Sequence, residues 1–501
     1  MVLQFFTIDV FFYLIVGLLF FFIIGILPVV GSIQGLAILL PLVYKLDPPQ
    51  AFALMIGGAS GMWLSDAACS ILLKIPGSSP TVPLTFDGFQ LTRRGLHGYA
   101  LGAATSATIL GGIISGIITY GIMSVLLLLL MFLGPAEITI IIAWGLIASI
   151  ILLIGKEKIK ELLSAIIGLL LSTVGFAETA HIARFTFGFY DLWDGIPLSV
   201  FFLAMLGLPE FLGFLVRREE FIVDIKYLTY VGGFRTREFY KKFIEGFKEI
   251  FRSIRIFVQA IITGLIFGII PGVGTTAASL LAYAQSGLLT KRKEKLGEGN
   301  VDGVIGPQSA IISCWFGDFI PTISFGIPGS AAKALFLGLF MMKGLMPGPH
   351  ILKQVDLVNY ILLLVVIGVL LGSILIIPLL PVITRIVTIR ITSWVPILLG
   401  IIFIAVYSDR SSLFDLFLLF ILTLLGYSLN KYGFSTPMVA IGFVLGGILE
   451  QNVALTYQIY GLSFLYKPTS LILIIILVAV TIVSLRMLRR KQIIAMGEED
   501  D

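Results

Sequence analysis

Charged side chains are scarce in this chain. Of its 501 residues only 13% are Asp, Glu, Lys or Arg, whereas 58% are hydrophobic. The mean hydropathy of +1.05 lies far above the range of soluble globular domains. The longest polar stretch, 217–255, lacks the apolar content of an independent core. The sequence therefore predicts an all-α polytopic membrane protein, in which function lies within the bilayer.

Cysteine and histidine are also rare. Cys69 and Cys314 both stand in apolar surroundings, which excludes a disulfide framework and a thiolate metal site. His97, His181 and His350 share no spacing typical of a metal site. We therefore expect no cofactor other than a coupling ion, Na⁺ or H⁺. The basic stretch 217–255 is interpreted as a cytoplasmic connector rather than a nucleic-acid site.

Apolar length and the placement of Lys and Arg predict the topology. A span needs about 20 apolar residues, and flanking basic residues stay on the cytoplasmic side. Two interrupted crossings are expected at about 50–92 and 301–346. Nine continuous crossings are expected near 98–133, 137–155, 160–178, 195–216, 357–384, 394–408, 412–430, 435–453 and 468–485. Eleven crossings place every basic cluster and the C-terminus inside the cell.

The N-terminus is expected outside, because no Lys or Arg precedes Lys45. Its apolar run has neither a basic flank nor a small-residue cleavage site, so it is interpreted as mature sequence rather than a signal peptide. The predicted location is the plasma membrane.

Two further apolar stretches, 10–44 and 257–285, are predicted to be re-entrant hairpins. They are interrupted by GILPVVG at 25–31 and GIIPGVG at 268–274. Non-helical backbone at membrane depth is tolerated only where protein buries it or where it lines a watery cavity. The predicted hairpin breaks are Pro28, Gly31, Ser32, Pro271, Gly272, Gly274 and Thr275.

The same pattern is written twice, 252 positions apart. Each half contains a hairpin, then Trp-x-x-Asp, then Ile-Pro-Gly-Ser starting nine residues after the Asp. Five predicted crossings separate the starts of the two interrupted segments, and an odd number makes the halves inverted. Inverted repeats with paired helix breaks are typical of secondary transporters whose site lies near the midplane. The predicted segments are two repeats (1–135 and 257–384), connecting helices (136–216), a basic connector (217–256) and C-terminal helices with a cytoplasmic tail (385–501).

The breaks suggest an anion site. Where the chain leaves one helical piece and starts another, free amides and Ser hydroxyls at a positive helix N-terminus stabilise negative charge. Gly at a break lets a ligand approach the backbone closely. The predicted substrate-binding residues are Lys74, Pro76, Gly77, Ser78, Ser79, Pro328, Gly329, Ser330 and Lys333.

Asp66 and Asp318 occupy the same place in the two copies. A charge near the bilayer centre costs about 2.5–3.5 kcal/mol on insertion scales, so it usually faces a cavity or a partner. Each carboxylate could bind Na⁺ beside unwound carbonyls or carry a proton. The alternative is that each caps a helix or pairs with a neighbouring lysine.

Several motifs together resemble the large permease subunit of the tripartite tricarboxylate transporters. They comprise GILPVVGSIQGLAILLPLVYKLDPPQAFALMIGG, IPGSSPTVPLTFDGFQLTRRG, LLSTVGFAETAHIARFTFGFYDLWDGI, GIIPGVG, GIPGSAAKALFLGLFMMKGLMPGP and FSTPMVAIGFVLGGILEQN. The resemblance implies cation-coupled uptake of a carboxylate, with help from an extracytoplasmic solute-binding protein and a small membrane subunit. It also implies that the two Pro-Gly-Ser breaks line the substrate site.

The chain departs from the family pattern at three places. Trp63-Leu64-Ser65-Asp66 stands where a Tyr-Gly-Gly-Ser-like run is usual, and Lys74 stands where Asn is usual. Around Gln308, a glutamate and two side-chain amides of the family pattern are absent. These departures bear on the substrate and suggest that the cation site has moved onto Asp66 and Asp318.

The predicted function is import of a di- or tricarboxylate by alternating access in a multi-pass, homo-oligomeric or monomeric protein, not an enzyme. Two other classes remain open. An ion channel would not concentrate a solute. An intramembrane aspartyl protease would use two membrane aspartates, and Phe316-Gly317-Asp318 is faintly similar to its motif, but its two carboxylates must share a proton.

Overall fold

A computed structural model describes residues 2–26, 32–129, 134–152, 158–177, 182–217, 237–271, 274–386, 391–479 and 481–482. Over these residues the chain is almost entirely helical. The sheet found there is one two-stranded antiparallel hairpin, Gly175–Ala177 (β1) paired with Ile182–Arg184 (β2). The prediction of an all-α polytopic membrane protein is confirmed.

The first two helices of the first half belong to the predicted hairpin at 10–44. The helices are Ile8–Ile26 (α1), Ser32–Leu42 (α2), Pro48–Leu73 (α3), Leu84–Arg93 (α4), His97–Leu129 (α5), Pro135–Leu152 (α6), Lys158–Ser172 (α7), Leu198–Phe202 (α8), Leu208–Arg217 (α9) and Arg237–Arg252 (α10). A π-helical turn, Leu203–Gly207, joins α8 to α9. Short 3₁₀ segments cover Val2–Phe5, Ser79–Thr81 and Tyr190–Leu192.

The described part of the second half is also helical. Its helices are Ile254–Ile269 (α11), Gly274–Leu289 (α12), Asp302–Gly317 (α13), Phe319–Phe325 (α14), Ala331–Met342 (α15), Pro349–Leu352 (α16), Val355–Ile386 (α17), Ile391–Arg410 (α18), Leu413–Lys431 (α19), Thr436–Tyr460 (α20) and Pro468–Ala479 (α21). A 3₁₀ segment, Gly461–Tyr466, precedes α21.

Each of the eleven predicted crossings coincides with a helix or a helix pair. By length and apolar composition alone, five helices of the described chain are long enough to cross a membrane: α3, α5, α17, α19 and a segment from α20 to Tyr466. The bent pair α10 and α11, which meet at 76°, would make a sixth. The other segments form shorter apolar helices. A multi-pass membrane protein is therefore supported, while the number of eleven crossings stays a prediction.

In each half, the first hairpin helix packs directly on the helix that carries the Trp-x-x-Asp motif. α1 packs on α3, and α11 packs on α13. The backbones are so close that a Cβ on Gly57 would stand 2.2 Å from the carbonyl oxygen of Leu14, and one on Gly264 would stand 2.4 Å from that of Ala310. Without a hydrophobic driving force between helices in lipid, such close backbone packing is a main source of helix association.

The core is centred on α3 and α13. Every residue of α3 from Ala51 to Leu73 is buried, and so is all of α13. A helix that is buried on all sides lies inside a bundle rather than facing lipid. The two motif copies are therefore at the centre of the described bundle.

Candidate functional site

The first Pro-Gly-Ser break turns the chain back along the end of α3. α3 ends at Leu73, and Lys74 adopts the left-handed backbone conformation (φ +59°, ψ +19°) that commonly closes a helix. Gly77 then lies beside Asp66, because a Cβ built on Gly77 would stand 2.6 Å from Asp66 Cα and 2.9 Å from its Oδ1. The break thus re-enters to the level of Asp66.

The following helix, α4, leads the chain out again. The hydroxyl of Thr92 donates to the carbonyl oxygen of Ile71 over 2.8 Å, which places the end of α4 beside the end of α3. The sequence predicted an interrupted crossing at 50–92, and the structure has an interruption between Leu73 and Leu84. The left-handed Lys74 reverses the chain there, whereas a simple kink would continue it. How the segment lies in the bilayer stays a prediction.

The second break has the same shape. α14 ends at Phe325, and Gly326 is left-handed (φ +68°, ψ +23°). A Cβ on Gly329 would stand only 2.0 Å from Asp318 Oδ1, so only glycine fits. Ser330 donates from Oγ to Asp318 Oδ2 over 2.6 Å and accepts from the backbone N–H of Lys333 over 3.4 Å. It therefore caps α15 and holds the carboxylate at the same time.

The two copies agree at the level of backbone angles. Ser78 has φ −150° and ψ 164°, and Ser330 has φ −148° and ψ 164°. Lys74 and Gly326, also 252 positions apart, share the left-handed conformation. The sequence repeat is thus a structural repeat, in which each Asp is covered by the Gly of its own break.

Trp63 and Trp315 join the two copies. Both stand three residues before the Asp, and their rings meet edge to face with centroids 5.3 Å apart. Gln308 on α13 crosses to the first copy, where its Nε2 donates to Thr108 Oγ1 over 2.8 Å and to the carbonyl oxygen of Trp63 over 3.4 Å. Sequence reasoning used the tryptophans only as part of a motif and missed their contact.

Several buried polar atoms around the two copies have no hydrogen-bond partner within the described part of the chain. They are the ring nitrogens of Trp63 and Trp315, the hydroxyl of Ser78 and the carbonyl oxygen of the Gln308 side chain. Such groups cost about 1–3 kcal/mol each when buried unpaired, and native proteins keep few of them away from functional sites. These four atoms belong to the first motif copy and its break or to α13, which carries the second copy.

The two lysines predicted for the site are in opposite surroundings. Lys74 is exposed, with Nζ 5.9 Å from the centre of the Phe89 ring. Lys333 is fully buried, and its Nζ lies 3.0 Å from the ring centre of Trp315 and 3.2 Å from that of Phe319. Lys333 also interacts electrostatically with Asp318. The second copy therefore carries a caged lysine amino group that the first copy lacks, since Thr81 occupies the equivalent position.

The breaks differ in exposure as well. Pro76 and Ser79 of the first break are exposed, whereas Pro328 and Gly329 are buried. Thr81 stabilises the first break, because its Oγ1 accepts from the backbone N–H of Ser78 over 3.3 Å and donates to the Ser78 carbonyl over 2.9 Å.

The predicted hairpin breaks are only partly within the described residues. Pro28, Gly31 and Gly272 lie outside them. Ser32 starts α2, Pro271 follows α11, and Gly274 (φ +74°) starts α12 with Thr275 in its first turn. The carbonyl oxygen of Gly268, at the end of α11, would be 3.3 Å from a Cβ on Gly329. The second hairpin therefore reaches the second break.

No cluster of three His, Cys, Asp or Glu side chains that could hold a metal ion occurs in the described ranges. His97 is buried and stacks on Phe239 with ring centroids 5.6 Å apart, and His350 is exposed. His181 lies outside the described residues. The ion that Asp66 and Asp318 were predicted to carry is not tested by this finding, because Na⁺ is bound largely by carbonyl oxygens.

The ends of α3 and α13 contact opposite parts of the other copy. Before α13, the backbone N–H groups of Gly297, Gly299 and Asn300 donate to Oδ1 of Asp87 on α4 over 2.9, 2.9 and 2.7 Å. Before α3, the carbonyl oxygens of Tyr44 and Leu46 accept from Nζ of Lys343, which follows α15, over 2.7 and 2.6 Å.

These contacts fix the relative direction of the two helices. Because α4 lies at the end of α3, the first contact puts the start of α13 beside the end of α3. The second puts the start of α3 near the end of α14, since Gly326 lies close to Pro347 in the segment after α15. α3 and α13 therefore run in opposite directions.

Residues 11–441 match the family described as the tripartite tricarboxylate transporter TctA family. The chain is also 30% identical over 490 residues to an "Uncharacterized 52.8 kDa protein in TAR-I ttuC' 3'region" of Agrobacterium vitis, covering 97% of this chain and 95% of that protein. An "Uncharacterized protein in TAR-II ttuC' 3'region" of the same organism is 33% identical over 184 residues, which cover 36% of this chain and 76% of the relative. No solved structure matches the chain.

Proposed function

Since the chain belongs to the tripartite tricarboxylate transporter TctA family, we propose that it is a secondary active transporter that imports a small organic anion of the di- or tricarboxylate class. The family is one of transporter components and not of enzymes. Beyond family membership, the proposal specifies the substrate site, the mode of access to it and the ion coupling.

One observation carries the proposal: two Pro-Gly-Ser breaks of matching backbone geometry, each closed over a buried Asp. Ser330 begins α15, a helix of 12 residues. The N-terminus of a helix carries about half a positive elementary charge, which favours a carboxylate. When protonated, Lys333 adds positive charge nearby. Polar groups this deep in an apolar bundle are expensive and are kept where a ligand or ion uses them.

Alternating access would follow from two inverted repeats, 1–135 and 257–384, that move relative to the helices of 136–216 and 385–501. The opposite directions of α3 and α13 support inversion, and so does the packing of each break on the hairpin of the other half. α15 packs on α2, and Ser79–Thr81 packs on α12. A site built at such an interface can open to either face while its own geometry is preserved.

Asp66 and Asp318 are proposed to couple uptake to Na⁺ or H⁺. Both are buried, and both stand where unwound backbone of the break meets a long helix. The carbonyl oxygens of the reversed chain are natural ligands for Na⁺, and a desolvated carboxylate is a natural proton carrier.

The proposed partners follow from family membership. A small membrane subunit and an extracytoplasmic solute-binding protein would complete a tripartite system in the plasma membrane, and a homo-oligomer is compatible with the large apolar surface of the helices. The proposed cytoplasmic C-terminus, 483–501, lies outside the described residues.

Uptake by the purified protein in vesicles would test the proposal. A panel of labelled di- and tricarboxylates would be offered with a Na⁺ gradient or a proton gradient, with and without an extracytoplasmic solute-binding protein. Accumulation above the external concentration is the expected result. Ion flux that only follows its gradient would identify a channel, and cleavage of a labelled peptide would identify a protease. Either result would overturn the proposal.

A further inference from the structure

Two polar contacts, one near each end of α3, tie the halves of the molecule together. Asp87 is fully buried on α4. Its Oδ1 accepts the three backbone N–H groups before α13, and its Oδ2 accepts the hydroxyl of Tyr283 over 2.8 Å. A carboxylate with four donors is fully satisfied at this position. We call this group the Asp87 latch.

Lys343 forms the corresponding contact at the other end. Its ammonium donates to the carbonyl oxygens of Tyr44 and Leu46, immediately before α3. Lys343 is half-buried, and both bonds are short enough to be strong charge-assisted hydrogen bonds. We call this group the Lys343 latch.

The two latches are reciprocal. Asp87 follows the break of the first copy and holds the chain that leads into the helix of the second copy. Lys343 follows the break of the second copy and holds the chain that leads into the helix of the first. The chemistry is reversed, with an anion that accepts amides at one end and a cation that donates to carbonyls at the other.

We propose that Asp87 and Lys343 are the gate residues of this transporter, each of which keeps one face of the site closed until its own latch is released. The inference rests on the proposed function. In the present structure both latches are formed, and both Asp66 and Asp318 are buried. While the two copies move together against the other helices, opening of the site between them at one face has to break the latch of that face and leave the opposite latch formed, which is how a bistable interface switches.

The charges nearby assign the faces. The Asp87 latch lies between two basic clusters: Arg93 and Arg94 after α4, and Lys291 to Lys295 after α12. Arg94 is close enough for its guanidinium to lie 3.5 Å from a Cβ built on Gly299. Clustered Lys and Arg mark the cytoplasmic side, so Asp87 is the cytoplasmic gate and Lys343 the extracytoplasmic one.

The latches are unequal. Asp87 is fully buried, whereas Lys343 is partly exposed. The more exposed contact is the easier one to open, because water can replace its hydrogen bonds. The substrate-free transporter should therefore open first toward the outside, as an importer requires.

Sided labelling of a single cysteine tests the gates without any substrate. Cys69 and Cys314 would be replaced by Ser, and Ser78→Cys would report access to the site in sealed vesicles of known orientation. A membrane-impermeant maleimide would be added to one face at a time. Asp87→Asn should raise the labelling rate from the cytoplasmic face about tenfold, and Lys343→Met should do so from the outside, a size typical of coupling between sites.

A second pair of variants separates gating from misfolding. A Cβ on Gly303 would stand 2.2 Å from Asp87 Oδ2, so Gly303→Ala should open the cytoplasmic face without changing any charge. Gly447→Ala is the matched control, because its Cβ meets no atom within 4 Å. Lys343→Arg keeps a hydrogen-bond donor, so its labelling rate should stay closer to that of the parent than the rate of Lys343→Met.

Two results would overturn the assignment of the gates. The first is an unchanged labelling rate in both Asp87→Asn and Gly303→Ala, with both proteins monodisperse. The second is faster labelling of Asp87→Asn and Lys343→Met from the same face. Failure of the proposed function is distinguishable. If no carboxylate accumulates while labelling is sided as expected, the latches stand and the substrate assignment falls.

Discussion

At the scale of the residue, the second copy of the motif is distinguished by Lys333. An ammonium without a hydrogen-bond partner in the described chain is expensive in an apolar interior. Two aromatic faces near 3 Å compensate in part, since a desolvated cation–π contact contributes about 2 kcal/mol. Asp318 contributes the opposite charge. This arrangement holds the ammonium near the break without committing its donors to protein oxygens.

Replacing Lys333 by Met should change both folding and uptake. Met fills the same space without charge but leaves Asp318 buried without its counter-charge, and removing one partner of a buried pair costs about 3–5 kcal/mol. We expect a lower Tm together with at least about a tenfold rise in the KM of carboxylate uptake, because one buried ionic hydrogen bond to substrate is lost.

Lys74→Met is the matched control for Lys333→Met, because Lys74 belongs to the other break but is exposed. Its uptake should stay close to that of the parent. A lower Tm for Lys333→Met with unchanged uptake would show that Lys333 is structural.

Gly329 is the second residue whose identity the site dictates. A Cβ 2.0 Å from Asp318 Oδ1 has to displace the carboxylate and break its bond to Ser330. Gly329→Ala should reduce uptake by at least about 100-fold, as is typical for a displacement of about 1 Å in a positioned site. Gly447→Ala, which adds the same methyl group in open space, should transport normally. Equal uptake by the two variants would remove Gly329 from the site.

At the scale of the element, a left-handed residue after each long helix makes the re-entrant break. Gly326 adopts this conformation freely, whereas Lys74 does so at a cost of about 1–2 kcal/mol for a residue with a Cβ. Part of any gain on removing the side chain is offset by the greater freedom of glycine in the unfolded chain.

Lys74→Gly should consequently raise the free energy of unfolding by about 0.5–1 kcal/mol. Thermal unfolding in detergent would measure the change as a higher Tm. Lys74→Ala keeps the Cβ and should show no such gain. A gain of the same size in both variants would mean that the charge, not the backbone conformation, is responsible.

At the scale of the whole molecule, the site is assembled from both halves, and a ligand bound there should stabilise the entire bundle. A ligand at 100 times its Kd that binds only the folded protein adds about 2.7 kcal/mol to its stability. A transported carboxylate should therefore raise the Tm of the parent protein and of Gly447→Ala, but not that of Gly329→Ala. A shift of equal size in all three proteins would indicate binding away from the breaks.

The positions of the helical segments, the paired motifs and the family could be predicted from the sequence, and the family match confirms the resemblance that the motifs suggested. Apolar runs and Pro-Gly pairs act locally, so their structural effects can be predicted from the sequence. The direction of the chain after each break could not be predicted in this way. A left-handed lysine at position 74 has no local signal, so the interruption could be predicted but the return of the chain beside α3 could not.

The sequence by itself determined two properties: that the protein lies in a bilayer, and that it contains two similar motifs. Scarcity of charge requires the bilayer, and a pattern that occurs twice requires two similar local structures. Only the tertiary structure decided which charges are buried. Lys74 and Lys333 look equivalent beside their breaks, yet one is exposed and the other is caged by Trp315 and Phe319. No sequence pattern indicates the roles of Asp87 and Lys343, because their partners are backbone groups far along the chain. Hydrogen bonds to distant main-chain atoms depend on how helices pack and leave no pattern among neighbouring residues.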